Sequence, residues 1–258
     1  MSSIVLDVRN GVATILLNRP QVLNAFNREM ALQMQEALEN CDQEEQVRVV
    51  VITGEGKSFS AGQDLSEVVD PDGPGMKRIL KEHYNPIIKQ IRGLQKPVIA
   101  AVNGVAAGAG ANIALSCDIV LATSSAIFLQ AFSKIGLIPD SGGTYFLPRL
   151  IGWQKASAIM MLGEKIAASE AERMGMIYKV FSDENFKNEV EKIINTLAEM
   201  PTRALAYTKQ ALNVSFINDL DTQLDAEDSF QQRAAQSADY KEGVESFLAK
   251  RKPVFIGK

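Results

Sequence analysis

The chain has 258 residues, of which 46% are hydrophobic and 22% are charged, and its formal net charge at pH 7 is −4. This balance predicts a globular protein with a sizeable core, and the absence of a basic stripe argues against a nucleic-acid partner. The longest apolar stretch, residues 97–123, contains Asn103, Asn112 and Asp118. We therefore expect a buried strand, loop and helix there and no membrane span. Two distant cysteines and an N-terminus without a leader pattern predict a cytoplasmic protein with reduced thiols.

The chain opens with a hairpin pattern followed by a helix. Two β-rich runs, IVLDV and VATILLN, flank Asn10-Gly11, which is the strongest short signal for a β-hairpin. Asn27 then precedes a stretch with apolar residues at helical spacing, so we predict a helix capped by this residue. The apolar run at residues 47–54 predicts a strand buried on both faces.

A second round repeats this order, with a helix near residues 76–94, a strand, a glycine-rich turn, another helix and a strand at 118–122. Recurring strand–strand–helix units predict an α/β fold with mostly parallel pairing. Residues 68–76, rich in proline, glycine and aspartate, are typical of an exposed loop. The strand patterns stop near Pro201, so we expect a helical region at 201–258 that packs on the core or on a neighbouring subunit.

Two small-residue turns could bind a ligand through backbone N–H groups. Residues 101–114 follow a strand and precede a helix, but they lack the spacing of a phosphate-binding loop. Their free N–H groups could meet a substrate oxygen, although this stretch alone favours tight packing of small residues. Residues 60–62 follow a buried strand, at the end where α/β sheets bind ligands. Asp64 follows this turn. It fits a catalytic role, and it fits the role of a turn or helix cap at least equally well.

The chain has one histidine, and this limits the chemistry. His83 lies in a polar helical context, KEHYNP, so we expect it at the surface. One histidine cannot supply a multi-histidine metal site, and no Gly-x-Ser-x-Gly elbow is present. We expect neither a metal centre nor a serine hydrolase.

Asp140 is the best acid–base candidate in the sequence. It lies between the apolar run 137–139 and a glycine pair, with few basic residues nearby. Desolvation in such surroundings raises the pKa of a carboxyl group, which helps it to accept and return a proton near neutral pH. The alternative is an aspartate that caps the following turn through Ser141 and Gly142, and the residues alone weigh the two equally.

Together these stretches resemble the crotonase, or enoyl-CoA hydratase/isomerase, superfamily. The matching segments are NRPQVLNAFN, SFSAGQDL, KPVIAAVNGVAAGAGANIALSCDIVLA, FSKIGLIPDSGGTYFLPRLIG and SADYKEGVESFLAKRKPVF. The resemblance implies an α/β fold, a crotonase-type spiral of strand–strand–helix repeats over residues 1–200 with the acyl-CoA site. It implies a C-terminal helical trimerisation region over 201–258, a homotrimer or hexamer, and no cofactor beyond the CoA of the substrate.

The resemblance also implies roles for individual residues. The backbone N–H groups of Gln63 and Ala109 would form an oxyanion hole for the thioester oxygen, and Asp140 would be the catalytic residue. The CoA part of the substrate would contact Val22, Ala61, Gln63 and Leu65. The acyl part would lie in a pocket formed by Asn112, Phe132, Leu137 and Ile138. Candidates for the CoA phosphates are Lys250, Arg251 and Lys258, for which a solvated basic tail is the alternative.

Departures from the hydratase pattern narrow the implied activity. Asn112 and Phe132 stand where the family's hydratases carry two glutamates, so we do not expect water addition. With Asp140 as the one carboxylate, the resemblance implies an isomerase of CoA thioesters. Its substrate would be the ring 1,2-epoxide of phenylacetyl-CoA or, alternatively, a straight-chain 3-enoyl-CoA. A dehalogenase, a ring-closing synthase and a non-catalytic interaction protein are further alternatives.

Overall fold

A six-stranded sheet forms the first layer of the computed structural model, which describes residues 2–258. Its strands are, in spatial order, β1 (Ile4–Arg9), β2 (Val12–Leu17), β3 (Val49–Gly54), β5 (Val98–Val102), β7 (Ile119–Thr123) and β10 (Lys179–Phe181). β1 and β2 pair antiparallel across Asn10-Gly11, where both residues have positive φ. All other neighbours pair in parallel. The predicted hairpin and parallel core are confirmed.

A second sheet lies beside the first and contains four shorter strands. They are β4 (Ser58–Ser60), β6 (Val105–Ala107), β8 (Ile127–Leu129) and β9 (Lys165–Ala167). β4, β6 and β8 each follow a strand of the first sheet after two or three residues, so every turn of the chain adds one strand to each sheet. Close approach requires glycine at the second such crossing, between β5 and β6, because a Cβ on Gly104 would lie 2.1 Å from the Lys57 carbonyl oxygen. This repetition is the predicted spiral.

Helices cover the outer faces of the two sheets. They are α1 (Arg28–Gln43), α2 (Leu65–Val69), α3 (Gly75–Arg78), α4 (Asn85–Gly93), α5 (Ala109–Ser116), α6 (Gly143–Ile151), α7 (Trp153–Leu162), α8 (Ala168–Arg173) and α9 (Phe186–Glu199), with 3₁₀ segments at Pro20–Val22 and Ala131–Ile135. The Asn27 side chain caps α1 by accepting a hydrogen bond from the Met30 N–H at 3.0 Å, as predicted.

The core has two parts, one on each face of the first sheet. In β3, Val50 and Ile52 belong to the larger part, whereas Val49 and Val51 pack towards α9. This alternation confirms that β3 is buried on both faces. Residues 97–123 divide into β5, β6, α5 and β7, and no helix within residues 2–258 is long and apolar enough to cross a membrane.

The C-terminal region forms three helices between residues 202 and 248, as predicted, and a buried lysine attaches them to the core. The helices are α10 (Thr202–Ser215), α11 (Leu220–Ala235) and α12 (Ala238–Leu248). On α10, the Lys209 Nζ lies 2.9 Å from the Asp118 carboxylate and also donates to the Ile91 and Lys96 carbonyl oxygens. These contacts attach α10 to the strand–helix junctions at the base of the sheet.

A π-helical segment, Ile79–Tyr84, interrupts the helix predicted near residues 76–94. Pro86 has no N–H for the Glu82 carbonyl oxygen, and the Gln35 side-chain amide donates to that oxygen at 2.7 Å instead. The wider turn places His83 inside the fold, where it is only 1% exposed. The expectation of a surface His83 was therefore wrong, because its polar neighbours in sequence do not reveal the direction of a π turn.

Candidate active site

Two strand-to-helix turns bring free backbone N–H groups close together. Gln63 follows β4, and Ala109 is the first residue of α5, after β6. Neither N–H has a hydrogen-bond acceptor among the described residues. A Cβ placed on Gly62, which has φ +90°, would lie 2.8 Å from the Ala107 carbonyl oxygen and 3.3 Å from the Ala109 nitrogen. The two turns are therefore in contact, and only glycine fits between them.

Phe26 fixes the direction of the Gln63 peptide. The Phe26 N–H donates to the Gly62 carbonyl oxygen at 2.7 Å, and the Asp64 N–H donates to the Phe26 carbonyl oxygen at 2.8 Å. In such a parallel bridge the residue between the two bonds turns its own N–H away from the partner strand. The Gln63 N–H is thus held rigidly and left available for a ligand.

Asp140 presents a partly buried carboxylate between the 3₁₀ segment Ala131–Ile135 and α6. Its Oδ1 accepts a hydrogen bond from the Ser141 hydroxyl at 2.8 Å, and no basic side chain within residues 2–258 forms an ion pair with it. Burial raises the pKa of Asp140 above its usual value, against the smaller lowering effect of the Ser141 hydrogen bond.

The turn after Asp140 is closed by backbone, and this bears on the capping alternative. The Gly143 N–H donates to the Asp140 main-chain carbonyl oxygen at 2.8 Å. The carboxylate itself accepts only the Ser141 hydroxyl within the part of the chain that the structure describes. A carboxylate that caps no backbone N–H is available for proton transfer.

Asn112 braces the Asp140 loop from inside the protein. It is fully buried, its Nδ2 donates to the Asp140 carbonyl oxygen at 2.8 Å, and its Oδ1 accepts from Gln130 Nε2 at 2.7 Å. Gly143 packs directly on this amide, since a Cβ there would lie 2.5 Å from Asn112 Nδ2. Both ends of the amide are occupied, so Asn112 supports the loop. Gln130 was not predicted, because nothing in its local sequence signals this contact.

The other residues predicted for the acyl pocket differ in burial. Phe132 is buried, and its ring would lie 3.7 Å from a Cβ on Gly108, so it borders the Ala109 turn. Leu137 and Ile138 lie on the loop before Asp140 and are 38% and 79% exposed in the isolated chain. Their role as pocket walls remains a prediction.

The residues predicted to bind CoA lie together at the edge of the same site. The Ala61 N–H donates to the Leu23 carbonyl oxygen at 2.9 Å, which joins the β4 turn to the 3₁₀ segment that ends at Val22. Val22 and Leu65 are exposed. Of the basic candidates for the CoA phosphates, Arg251 pairs with Glu242 and Lys258 pairs with Glu45.

Asp64 is a structural cap. Its carboxylate accepts from the Ser66 N–H at 3.2 Å at the start of α2, and it pairs with Arg19 at 3.0 Å. Burial alone would raise the pKa of Asp64, but the hydrogen bonds from Ser66 and Arg19 outweigh it and hold this pKa below its usual value. The capping alternative is therefore confirmed. Within residues 2–258 no group of three or more potential metal-ligating side chains lies close enough together to hold a metal ion.

Comparison with known proteins places the chain in one family. The model of the enoyl-CoA hydratase/isomerase family matches residues 7–258, so the chain belongs to this family and the predicted resemblance is confirmed. The fold agrees, since a crystal structure of enoyl-CoA hydratase from Bacillus anthracis superposes with a TM-score of 0.92 at 30% identity and covers 99% of this chain and 100% of that chain.

Two curated relatives are isomerases. The chain is 48% identical to 1,2-epoxyphenylacetyl-CoA isomerase of Escherichia coli (strain K12), and the match covers 100% of both chains. It is 35% identical, over 99% of this chain and 98% of the relative, to trans-2-decenoyl-[acyl-carrier-protein] isomerase of Streptococcus mutans serotype c.

Proposed function

We propose that the protein is an acyl-CoA isomerase that converts 2-(1,2-epoxy-1,2-dihydrophenyl)acetyl-CoA to its oxepin isomer, without a further cofactor. The observation that carries the proposal is the Asp140 carboxylate, which is partly buried, has a raised pKa and forms no ion pair within residues 2–258. The 48% identity to the Escherichia coli isomerase supports the aromatic substrate.

In the proposed mechanism the thioester oxygen binds between the Gln63 and Ala109 N–H groups. Asp140 removes a proton from the carbon next to the thioester carbonyl, and the negative charge moves to that oxygen. Donors already held in place, as the Phe26 bridge holds Gln63, stabilise this charge without reorganisation. The enolate-like species rearranges, and Asp140 returns the proton to another position of the same carbon framework.

The raised pKa of Asp140 suits a group that must both take and return the proton. An exposed aspartate is a weak base, because its conjugate acid is too strong. Burial disfavours the ionised form, so the carboxylate of Asp140 is a stronger base than an exposed aspartate. Asn112 and Phe132 provide no second general base, which favours proton shuttling over hydration.

CoA is proposed to bind along Val22, Ala61, Gln63 and Leu65, with the acyl group near Asn112, Phe132, Leu137 and Ile138. We also propose a spiral core at residues 1–200 and an association region at 201–258 that forms a homotrimer or hexamer. Several large apolar side chains of this C-terminal region are largely exposed in the isolated chain, which supports an interface there. They are Ile217, Leu220, Phe247, Leu248 and Val254.

A straight-chain 3-enoyl-CoA is the second candidate substrate, and the 35% identity to the decenoyl isomerase favours it. The same groups would carry out that reaction. Turnover of both substrates by the purified protein separates the two candidates. A kcat/KM higher for the straight-chain substrate would overturn the aromatic assignment.

The Asp140→Asn substitution tests the catalytic role. Asparagine keeps the size and the hydrogen bond from Ser141 but cannot accept the proton, so we expect kcat to fall about 10²–10⁴-fold. Binding of acyl-CoA, measured by calorimetry, should persist. Asp219→Asn is the matched control, because Asp219 caps α11 and asparagine caps a helix equally well. Wild-type turnover by Asp140→Asn would refute the assigned role.

A further inference from the structure

Tyr84 is a fully buried phenol beside the proposed oxyanion hole. Its hydroxyl donates a hydrogen bond to the Gln63 side-chain oxygen at 2.9 Å. Its ring packs on Phe26, with the ring centroids 6.0 Å apart. Phe26 is the residue whose backbone holds the Gln63 peptide. Tyr84 therefore supports Gln63 in two ways. Its hydroxyl holds the Gln63 side chain, and its ring packs on Phe26, which holds the Gln63 main chain.

The other end of the Gln63 amide is also held. Its Nε2 donates to the Glu67 carboxylate at 2.9 Å and to the Asp64 carbonyl oxygen at 3.2 Å. Glu67 in turn accepts from the Arg28 N–H at 2.8 Å, at the start of α1. The Gln63 side chain thus joins α2 to the π-helical segment through hydrogen bonds at both of its ends, and Glu67 extends the connection to α1.

The phenol can act only as a donor in this arrangement. Burial raises the pKa of Tyr84 well above its usual value, and the nearby Asp140, Glu67 and Asp64 carboxylates raise it further. The hydroxyl stays protonated at working pH, so the Gln63 oxygen must face it.

The π-helical segment is what directs Tyr84 to this place. An α-helical register through residues 79–84 would turn the side chain by a different angle, and the register is held open by Pro86 and by the Gln35 side chain. A π turn at this point is costly unless its contacts are used, and π turns are frequent at functional sites.

We propose that Tyr84 is a positioning residue, whose hydroxyl holds the Gln63 side chain so that the Gln63 N–H stays aimed at the thioester oxygen. The role rests on the proposed function, because it requires an acyl thioester in the site. Tyr84 does not contact the reacting atoms in this scheme. It acts through Gln63, and its effect is therefore on the polarisation of the carbonyl group.

The test compares wild type, Tyr84→Phe and Gln63→Met with 2,4-hexadienoyl-CoA as a spectroscopic probe. A thioester carbonyl polarised by two N–H donors shifts the absorption of the conjugated acyl group to longer wavelength. We expect both variants to bind the probe with a smaller shift, and to lower kcat about tenfold with KM nearly unchanged. The double variant should be no worse than Gln63→Met alone, since Gln63→Met already removes the hydrogen bond from Tyr84 together with those to Glu67 and Asp64.

Tyr178→Phe is the matched control, because Tyr178 is exposed and its hydroxyl makes no hydrogen bond within residues 2–258. It should keep the wild-type shift and kcat. A wild-type shift in Tyr84→Phe, or additive losses in the double variant, would overturn the positioning role. Absence of a shift in the wild type would instead overturn the proposed oxyanion hole, so the two failures are distinguishable.

Discussion

Gly62→Ala should inactivate the protein far more than it destabilises it. An added Cβ would lie 2.8 Å from the Ala107 carbonyl oxygen and 3.3 Å from the Ala109 nitrogen, and the φ of +90° disfavours any L side chain. The backbone strain costs about 1–2 kcal/mol, or about 2–8 °C in Tm at about 2–4 °C per kcal/mol. The displaced N–H groups no longer point at one oxygen. Loss of one such donor typically lowers kcat about 10²–10³-fold, and we expect about 10²-fold.

Gly175→Ala separates strain from misplacement. Gly175 has φ +79°, but a Cβ there would meet only the Leu150 carbonyl oxygen, at an ordinary 3.7 Å. Gly175→Ala should therefore lose only the thermal stability that its positive φ costs, measured by calorimetry, and should keep its kcat. Gly62→Ala should lose somewhat more stability, because its Cβ also meets backbone atoms, and it alone should lose kcat in steady-state assays with acyl-CoA. Equal kcat losses in the two variants, or a wild-type kcat in Gly62→Ala, would refute the reasoning.

Two further predictions concern stability. Because burial raises the pKa of Asp140 in the folded state, ionising this group opposes folding above that pKa. Asp140→Asn should raise Tm at pH 7, and the gain should shrink as pH falls through the Asp140 pKa. It should vanish only well below about pH 4, where the unfolded carboxyl group is protonated too, and a gain that stays constant with pH would contradict this. Lys209→Met should cost about 1–3 kcal/mol in urea unfolding, because it removes a buried partner of Asp118, which keeps its pair with Arg92, and leaves the Ile91 and Lys96 carbonyl oxygens without this donor. Lys252→Met, which breaks an exposed pair with Glu199, should cost less than about 1 kcal/mol, and comparable losses would count against the buried-pair argument.

Features encoded by neighbouring residues could be predicted from the sequence. Asn10-Gly11 specifies its hairpin through two positive φ angles, and Asn27 and Asp64 cap helices that begin one residue later. The second sheet could not be predicted in this way. Its strands are three residues long, too short to show an alternating pattern, and they pair only because the first sheet places them side by side.

Side-chain contacts between distant segments explain the rest. Gln35 supports the π turn from 47 residues away, and this turn buries His83 against the sequence-based expectation. The hydrogen bond between Tyr84 and Gln63 joins positions 21 residues apart. Asp140 stood out as a carboxylate among apolar residues, but its burial depends on α5 and the 3₁₀ segment packing around it. Local sequence cannot report such contacts, because they form only in the folded chain.

Each of three consecutive turns of the spiral, called coils below, carries one of the proposed functional groups. Gln63 follows β4, Ala109 follows β6, and Asp140 comes after β8, and these strands are neighbours in one sheet. Adjacent strands are about 4.7–4.9 Å apart, so in the proposed mechanism the acyl group runs across the strands, with its carbonyl at the first two coils and its reacting carbon at the third. Replacing residues of the third coil alone would therefore change the reaction, while the N–H donors of the first two coils would still bind the thioester oxygen.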